Sequence, residues 1–245
     1  MMAPAILVAV LGLATAQADA VDGKRQLERL ETQDPAYFSD PVCPGIGGLP
    51  ADLAVAVLGE ARSLLDQNGV ETGADGQCEP NLFIIVTPDT GEAVKSLKRS
   101  QPTVFNNMSA PDVRRLTDGS APVRAFRSSI LRGADGRSIQ TGGDQVHGQS
   151  GARGGEQLSV TSSSRISGTT RRDVEQSFVY IEAEAIKGLT LRQIGHYAAM
   201  VGTLPLASSR LDDIDQPSIL TLFSDPDDRQ AEATAFDKAL LAAAR

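Results

Sequence analysis

The chain has 245 residues, 41% of them hydrophobic, and a formal net charge of -8 at pH 7. An acidic protein lacks the basic patch that releases counterions from nucleic acid or attaches to anionic lipid, which argues against both as partners. Aromatic residues make up 4% of the chain and tryptophan is absent, which argues against carbohydrate or single-strand binding on aromatic platforms.

Residues 1–20 have the pattern of a secretory signal peptide. Ile6–Leu13 is an apolar core and Ala18-Asp19-Ala20 is an Ala-x-Ala cleavage site, although no Lys or Arg precedes the core. The alternative is a membrane anchor, but the apolar run is about a dozen residues, against roughly 20 for a spanning helix. We therefore expect a periplasmic or secreted mature chain that begins near Val21 and is not inserted in a membrane. Loss of Asp19 leaves 30 acidic against 23 basic residues, a net charge of -7.

Residues 21–40 are charged and polar and predict a flexible lead-in, with a short helix as the alternative. Residues 41–50 are rich in Pro and Gly and predict a loop that positions Cys43. Cys43 and Cys78 are the only cysteines, and an even count in an oxidising compartment predicts a disulfide. A catalytic cysteine is the alternative. A metal site is disfavoured because the spacing is wrong and the chain has two histidines, His147 and His196.

Three helices and a strand are predicted between residues 51 and 118. An apolar stripe through Val57 and Leu64 predicts a helix over 51–67, which Asn68-Gly69 ends. The apolar run 82–87 between Pro80 and Pro88 predicts a central strand. Helices capped by Asp89 or Thr90 and by Ser109 are expected over about 90–100 and 109–118. Lys95, Lys98 and Arg99 on the first of these predict a solvated face, with an anion site as the alternative.

Residues 123–131 and 157–166 predict two strands that pair with each other. Residues 133–155 between them are rich in Gly and polar residues and predict a long flexible loop, with a substrate lid as the alternative. His147 lies in this loop and is expected to be solvated.

The apolar run at 178–183 predicts another strand, and Thr190 can cap a helix that runs to about Gly202. Ile194, Tyr197, Ala198 and Val201 form the apolar face of this helix, while its small residues allow a close approach by another element. His196 is expected to be a partly buried side chain with one satisfied nitrogen. A ligand or a general base is the functional alternative.

Acidic residues follow in two groups. Glu182 and Glu184 are expected to share a strand face, and Asp212, Asp213 and Asp215 lie in a later loop. Carboxylate pairs can perform acid–base chemistry or bind Ca²⁺, but the order of residues is not that of an EF-hand, and solvation is the alternative we favour. Residues 227–244 predict an alanine-rich helix that docks through Phe236 and its leucines.

Residues 178–223 resemble the core of a metzincin-type zinc peptidase that lacks its metal ligands. When the glycine of that family's motif is placed on Gly202, His196 takes the glutamate position. Gly195, Ala199 and Pro205 then take the three histidine positions. Residues 217–223 resemble the family's Met-turn, with Leu220 in place of methionine. The resemblance implies a metzincin-like sheet and helix without a bound metal.

The chain also resembles a family of uncharacterised exported bacterial proteins. The residues that carry this resemblance are Cys43-Pro44 and, in the helix, Leu191-Arg192-Gln193 and the run Tyr197–Met200. No activity comes with it.

Together the elements predict one α+β or three-layer domain over residues 41–245, with a four- or five-stranded mixed sheet and packed helices. The sequence does not identify a biochemical function, a cofactor or a metal. We favour a non-catalytic exported protein that binds a protein, a peptide or an envelope component. The alternatives are a degenerate zinc-peptidase-like domain that keeps a peptide-binding cleft beside helix 190–202, and an unrecognised hydrolase that uses His196.

Overall fold

The computed structural model describes residues 23–74, 76–133, 138 and 170–244. Four strands form a mixed sheet in the order β1-β2-β4-β3. They are β1 (Pro44–Gly47), β2 (Leu82–Thr87), β3 (Val123–Gly133) and β4 (Thr170–Glu182). β1, β2 and β4 are parallel, and β3 pairs antiparallel with β4. The predicted α+β class is confirmed.

Alternation along the strands sends side chains into two cores. Leu82, Ile84, Val179 and Ile181 face the larger core, while Phe178 and Tyr180 face the smaller one. This is the expected period of two, in which successive residues of a strand point to opposite faces. The sheet therefore has helices on both faces, as the three-layer prediction required.

The larger core is covered by α2 (Ala51–Gln67) and α5 (Leu191–Thr203). α5 begins at a capping box in which Thr190 and Gln193 bond each other's backbone amides. Every residue of α5 from Gln193 to Thr203 is buried. The predicted helices 51–67 and 190–202 are confirmed, and the close approach expected along α5 is made by the backbone of α2.

The smaller core lies under α3 (Thr90–Ser100) and α4 (Ala110–Asp118), whose N-caps are Asp89 and Ser109 as predicted. A 3₁₀ turn at Pro102–Phe105 joins them. Their apolar residues pack on a ladder of stacked rings formed by Phe83, Phe178, Phe126 and Tyr180.

Residues 23–30 are helical (α1), which is the alternative considered for the lead-in. Leu27 and Leu30 are buried in the larger core, so this part of the segment is packed against the domain. The predicted loop at 41–50 instead contains β1, whose two glycines gave no strand signal. The C-terminal helix α6 (Ala235–Ala243) is shorter than predicted, because Thr234 and Asp237 form a capping box that starts it eight residues later than expected.

β4 begins at Thr170, eight residues before the predicted strand 178–183, and it takes the place beside β3 that was assigned to residues 157–166. Residues 157–166 lie outside the described part of the chain, as do residues 134–155 except Ser138.

The predicted disulfide joins Cys43 and Cys78, with the two Cα atoms 6.1 Å apart. Cys43 directly precedes β1, and its carbonyl accepts from the amides of Asn81 and Leu82 at the start of β2. The bridge therefore connects the entries of two paired strands and encloses α2.

Candidate functional site

His196, the candidate base, lies within the protein rather than at a surface cleft. Its side chain is 9% exposed, and its Nδ1 accepts a 2.9 Å hydrogen bond from the backbone amide of Ala233. A neutral imidazole that accepts at Nδ1 carries its proton on Nε2. That nitrogen lies 3.6 Å from Glu60 Oε2, and Glu60 accepts from Arg192 at 3.2 Å.

Burial lowers the pKa of His196, and the nearby carboxylates Glu60 and Glu232 partly oppose this shift. Both ring nitrogens face protein groups, and His196 lines neither the depression of about 180 Å³ nor the one of about 40 Å³ that are described below. A general base needs a nitrogen within hydrogen-bond reach of the substrate. The geometry therefore favours a structural role, in which His196 holds the loop before α6 against α5.

The positions matched to metzincin ligands are also buried. A Cβ on Gly195 would lie 2.7 Å from the carbonyl oxygen of Val57 on α2, while Ala199 and Leu220 belong to the larger core. Within residues 23–74, 76–133 and 170–244, no group of three or more His, Cys, Asp or Glu side chains could hold a metal ion. The central turns of α5, which carry these positions, are buried and do not line an open groove.

The acidic groups and the basic helix face that the sequence analysis singled out do not come together in one site. Glu182 ends β4, whereas Glu184 lies in the following turn and pairs with Lys187 at 2.7 Å, so the two do not share a strand face. Asp213 and Asp215 border a shallow depression of about 40 Å³ together with Arg29. On the outer face of α3, Lys95 forms an ion pair with Glu92 at 3.0 Å. His147 lies outside the described residues.

A cleft of about 180 Å³ lies elsewhere on the surface of the described residues. Four parts of the chain line it: residues 37–42, residues 69–71, Thr203 at the end of α5, and Ala244 after α6. We call it the Tyr37–Glu71 cleft. Its apolar lining residues include Phe38 and Val70, which are partly buried, and Val42, which belongs to the larger core.

The first wall of the cleft is fixed to the sheet by the backbone of Tyr37. The Tyr37 amide donates to the Arg172 carbonyl at 3.2 Å, and the Tyr37 carbonyl accepts from the Val174 amide at 2.9 Å. Its phenol donates to Glu31, and burial and this carboxylate raise the pKa of Tyr37 above its ordinary value. Both ends of Tyr37 are thus held, which orients the residues that follow.

The second wall is the turn after α2. Gly69 has φ = +73°, a left-handed conformation that glycine adopts without a steric cost, and the Val70 amide returns to the Leu65 carbonyl. The two walls meet where the Val42 amide donates to the Glu71 carbonyl at 2.8 Å. Both segments line the cleft.

Among the described residues, the charged side chains at the cleft are acidic. Asp40 and Glu71 are exposed, neither forms an ion pair with another described residue, and none of the described residues that line the space is Lys, Arg or His. Among the described residues, the carbonyls of Phe38, Ser39 and Asp40 have no hydrogen-bond partner. The lining thus combines two aromatic side chains, an apolar floor and groups that accept hydrogen bonds.

Sequence reasoning did not find this cleft, because its parts are separated by up to two hundred residues. One signal was present: Tyr37-Phe38 is an aromatic pair in a chain with few aromatics, within a segment that otherwise looked like a polar lead-in.

Comparisons with known protein families, with curated proteins and with solved structures find no match. The assignment of function therefore depends on the geometry described above. No helix among the described residues is long and apolar enough to cross a membrane.

Proposed function

We propose that the protein is a non-catalytic binding protein of the periplasm or the extracellular space, and that it holds part of a protein or peptide ligand in the Tyr37–Glu71 cleft. The observation that carries the proposal is the contrast between the two candidate sites. The cleft is concave, open and lined by ordered backbone, whereas His196 is buried with both nitrogens facing protein groups.

The size of the cleft favours a single inserted group. Its volume of about 180 Å³ is close to the engineered cavity of ~150 Å³ that holds one benzene molecule, and below the ~300 Å³ at which drug-sized pockets begin. One side chain of a larger partner fits such a space. The partner's remaining contacts would then lie on the surrounding surface.

Export is supported by the signal-like pattern at residues 1–20 and by the Cys43–Cys78 disulfide. Disulfides persist in oxidising compartments and are rare in the cytosol. Intact-mass analysis of protein recovered from the periplasm and medium tests this directly. We expect a chain that begins near Val21 and is two hydrogen atoms lighter than its reduced form; an uncleaved chain with two free thiols would contradict it.

The two alternative functions have less support in the geometry. A peptide-binding cleft beside α5 would need an open groove there, but residues 193–203 are buried. A hydrolase using His196 has the nearby carboxylate of Glu60, yet no described cavity reaches that pair.

Binding at the cleft can be tested by amide chemical-shift mapping on the mature protein. The probes are capped pentapeptides in which the central residue varies and glycines flank it. We expect one or more of them to shift the amides of residues 38–42, 69–71 and 203 together.

A variant that fills the cleft, Val70→Trp, should abolish these shifts. Val55→Trp is the matched control, because Val55 is 70% exposed on α2 and lies outside the cleft. The proposal is wrong if no peptide shifts the cleft amides, or if Val55→Trp and Val70→Trp weaken binding equally.

A further inference from the structure

The chemistry of the cleft lining identifies the class of group that it accepts. We propose that the Tyr37–Glu71 cleft selects an alkylammonium or guanidinium group on a short aliphatic stem, presented as a lysine or arginine side chain of the bound partner. This inference rests on the proposed function and names its ligand chemistry.

The aliphatic stem of such a side chain matches the floor of the cleft. Phe38 and Val70 are partly exposed and offer apolar contact. Val42, which also borders the space, is only 1% exposed and belongs to the larger core, so the two partly exposed side chains pack on a fixed support. Lys and Arg characteristically bury their methylene stems on apolar surface while the charged head remains near water.

The charged head matches the rim. Asp40 and Glu71 come from opposite walls, and both are free of ion pairs with described residues. A cation between them would gain two carboxylate partners, and the unbonded carbonyls of residues 38–40 could accept its remaining protons. An anionic head in the same place would meet two like charges.

The aromatic side chains at the cleft favour the same ligand class. Tyr37 and Phe38 both line the space, and a cation near an aromatic face gains about 0.5–1 kcal/mol at an exposed site. The hydrogen bond from Tyr37 to Glu31 holds the first ring in place before any ligand arrives. The net charge of the chain would further attract a basic partner over longer distances.

The closing experiment compares four capped pentapeptides whose central residue is lysine, arginine, norleucine or glutamate, each titrated into the mature protein with chemical-shift mapping. Norleucine keeps the aliphatic stem without the charge. We expect the lysine and arginine peptides to bind at the cleft roughly tenfold more tightly than the norleucine peptide. Their affinity should fall as NaCl rises from about 20 to 300 mM, since salt screens exposed charges.

The double variant Asp40→Asn/Glu71→Gln should remove most of this preference and leave norleucine binding unchanged. The matched control is Glu79→Gln/Asp212→Asn, which makes the same change in net charge at exposed positions outside the cleft. Because all four positions are on the surface, both double variants should keep the dispersed spectrum of the folded protein.

The outcomes separate the two proposals. Equal binding of the norleucine and lysine peptides at the cleft would overturn the choice of a cation and leave the binding function standing. So would an equal loss of affinity in the two double variants. Failure of every peptide to shift the cleft amides would overturn both proposals.

Discussion

The carbonyl groups at the end of α5 are bonded by side chains from the strands beneath it. Ser177 on β4 donates to the Gly202 carbonyl at 2.7 Å, and Arg127 on β3 donates to the carbonyls of Val201 and Leu204. These carbonyls have no partner within the helix itself. Burial lowers the pKa of Arg127 to about 10, which still leaves it charged at neutral pH and favourably placed at the negative end of the helix.

In the first half of α5, the side chain of His196 bonds the backbone amide of Ala233 in the loop before α6. We expect this hydrogen bond to make the stability of the protein depend on pH. The unprotonated nitrogen is Nδ1, which accepts from Ala233, so protonation must disrupt that hydrogen bond. Burial lowers the pKa of His196 in the folded protein relative to about 6.5 in the unfolded chain. Below about pH 6.5 the unfolded chain therefore binds more protons, and the free energy of unfolding falls as the pH is lowered.

We expect this loss to reach about 1 kcal/mol near pH 5.5, the typical net value of one hydrogen bond. His196→Asn is the matched variant, because its side-chain oxygen can accept from Ala233 and cannot be protonated. Urea unfolding at about pH 7.5 and 5.5 measures both proteins. Four charged residues lie near the imidazole and are the same in both proteins: Glu60 on α2, Arg192 on α5, Glu232 in the loop before α6, and Lys238 on α6. Parallel pH dependences would exclude His196 as the titrating group.

At the scale of elements, α2 and α5 pack closely against each other. Gly195 makes it possible: a Cβ there would lie 2.7 Å from Val57 O and 3.1 Å from Ala61 N, both backbone atoms that cannot move independently of α2. We therefore expect Gly195→Ala to lower the free energy of unfolding by about 1–3 kcal/mol, the usual effect of overpacking.

Gly59 provides the opposite case on the exposed face of α2. No atom lies within 4 Å of a Cβ built there, so Gly59→Ala should stabilise the protein by about 0.5–1 kcal/mol through helix propensity alone. Thermal and urea unfolding of the two variants compares them directly. Equal effects of the same sign would mean that propensity, and not the contact with α2, decides the result at Gly195.

The elements predicted correctly are those whose signals are local. α2, α3, α4 and α5 each have an apolar stripe, the last three also have a capping residue at the start, and β2 is a continuous apolar run. β1 was missed because Pro44-Gly45-Ile46-Gly47 has no strand propensity, and its conformation depends on pairing with β2. The start of β4 was missed because residues 170–177 are mostly polar, and their extension follows from β3 beside them.

The cleft was harder to predict than these strands, because it is formed by residues that are distant in sequence. Its lining comes from the segment before β1, the turn after α2, the last residue of α5 and the residue after α6, which carry no shared motif. The disulfide was predictable because two cysteines allow one pairing, whereas the position of the cleft requires the packed domain. His196 shows the same division: its burial was expected from the helix face, but its partner Ala233 could not be read from the sequence.

At the scale of the whole molecule, the Cys43–Cys78 disulfide joins the site to the fold. Cys43 directly follows Val42, where the two walls of the cleft meet, and the closed loop of 35 residues contains all of α2. Gly73 packs against the bridge, since a Cβ there would lie 2.7 Å from Cys78 Cβ. Loss of the bridge should therefore affect both the stability of the domain and the shape of the cleft.

We expect Cys43→Ala/Cys78→Ala to lower the free energy of unfolding by about 4 kcal/mol, the chain-entropy value for a loop of this length. Urea unfolding measures it, and the m-value should rise because the unfolded chain is no longer cross-linked. The wild-type protein treated with a reductant serves as the control and should match the variant.

Peptide affinity at the cleft should fall in both samples, because residues 37–42 lose the bridge that fixes their far end. If affinity is unchanged while the free energy of unfolding falls, the disulfide stabilises the protein only by restricting the unfolded chain. The hydrogen bonds at Tyr37 and Val42 would then be sufficient to hold the cleft walls.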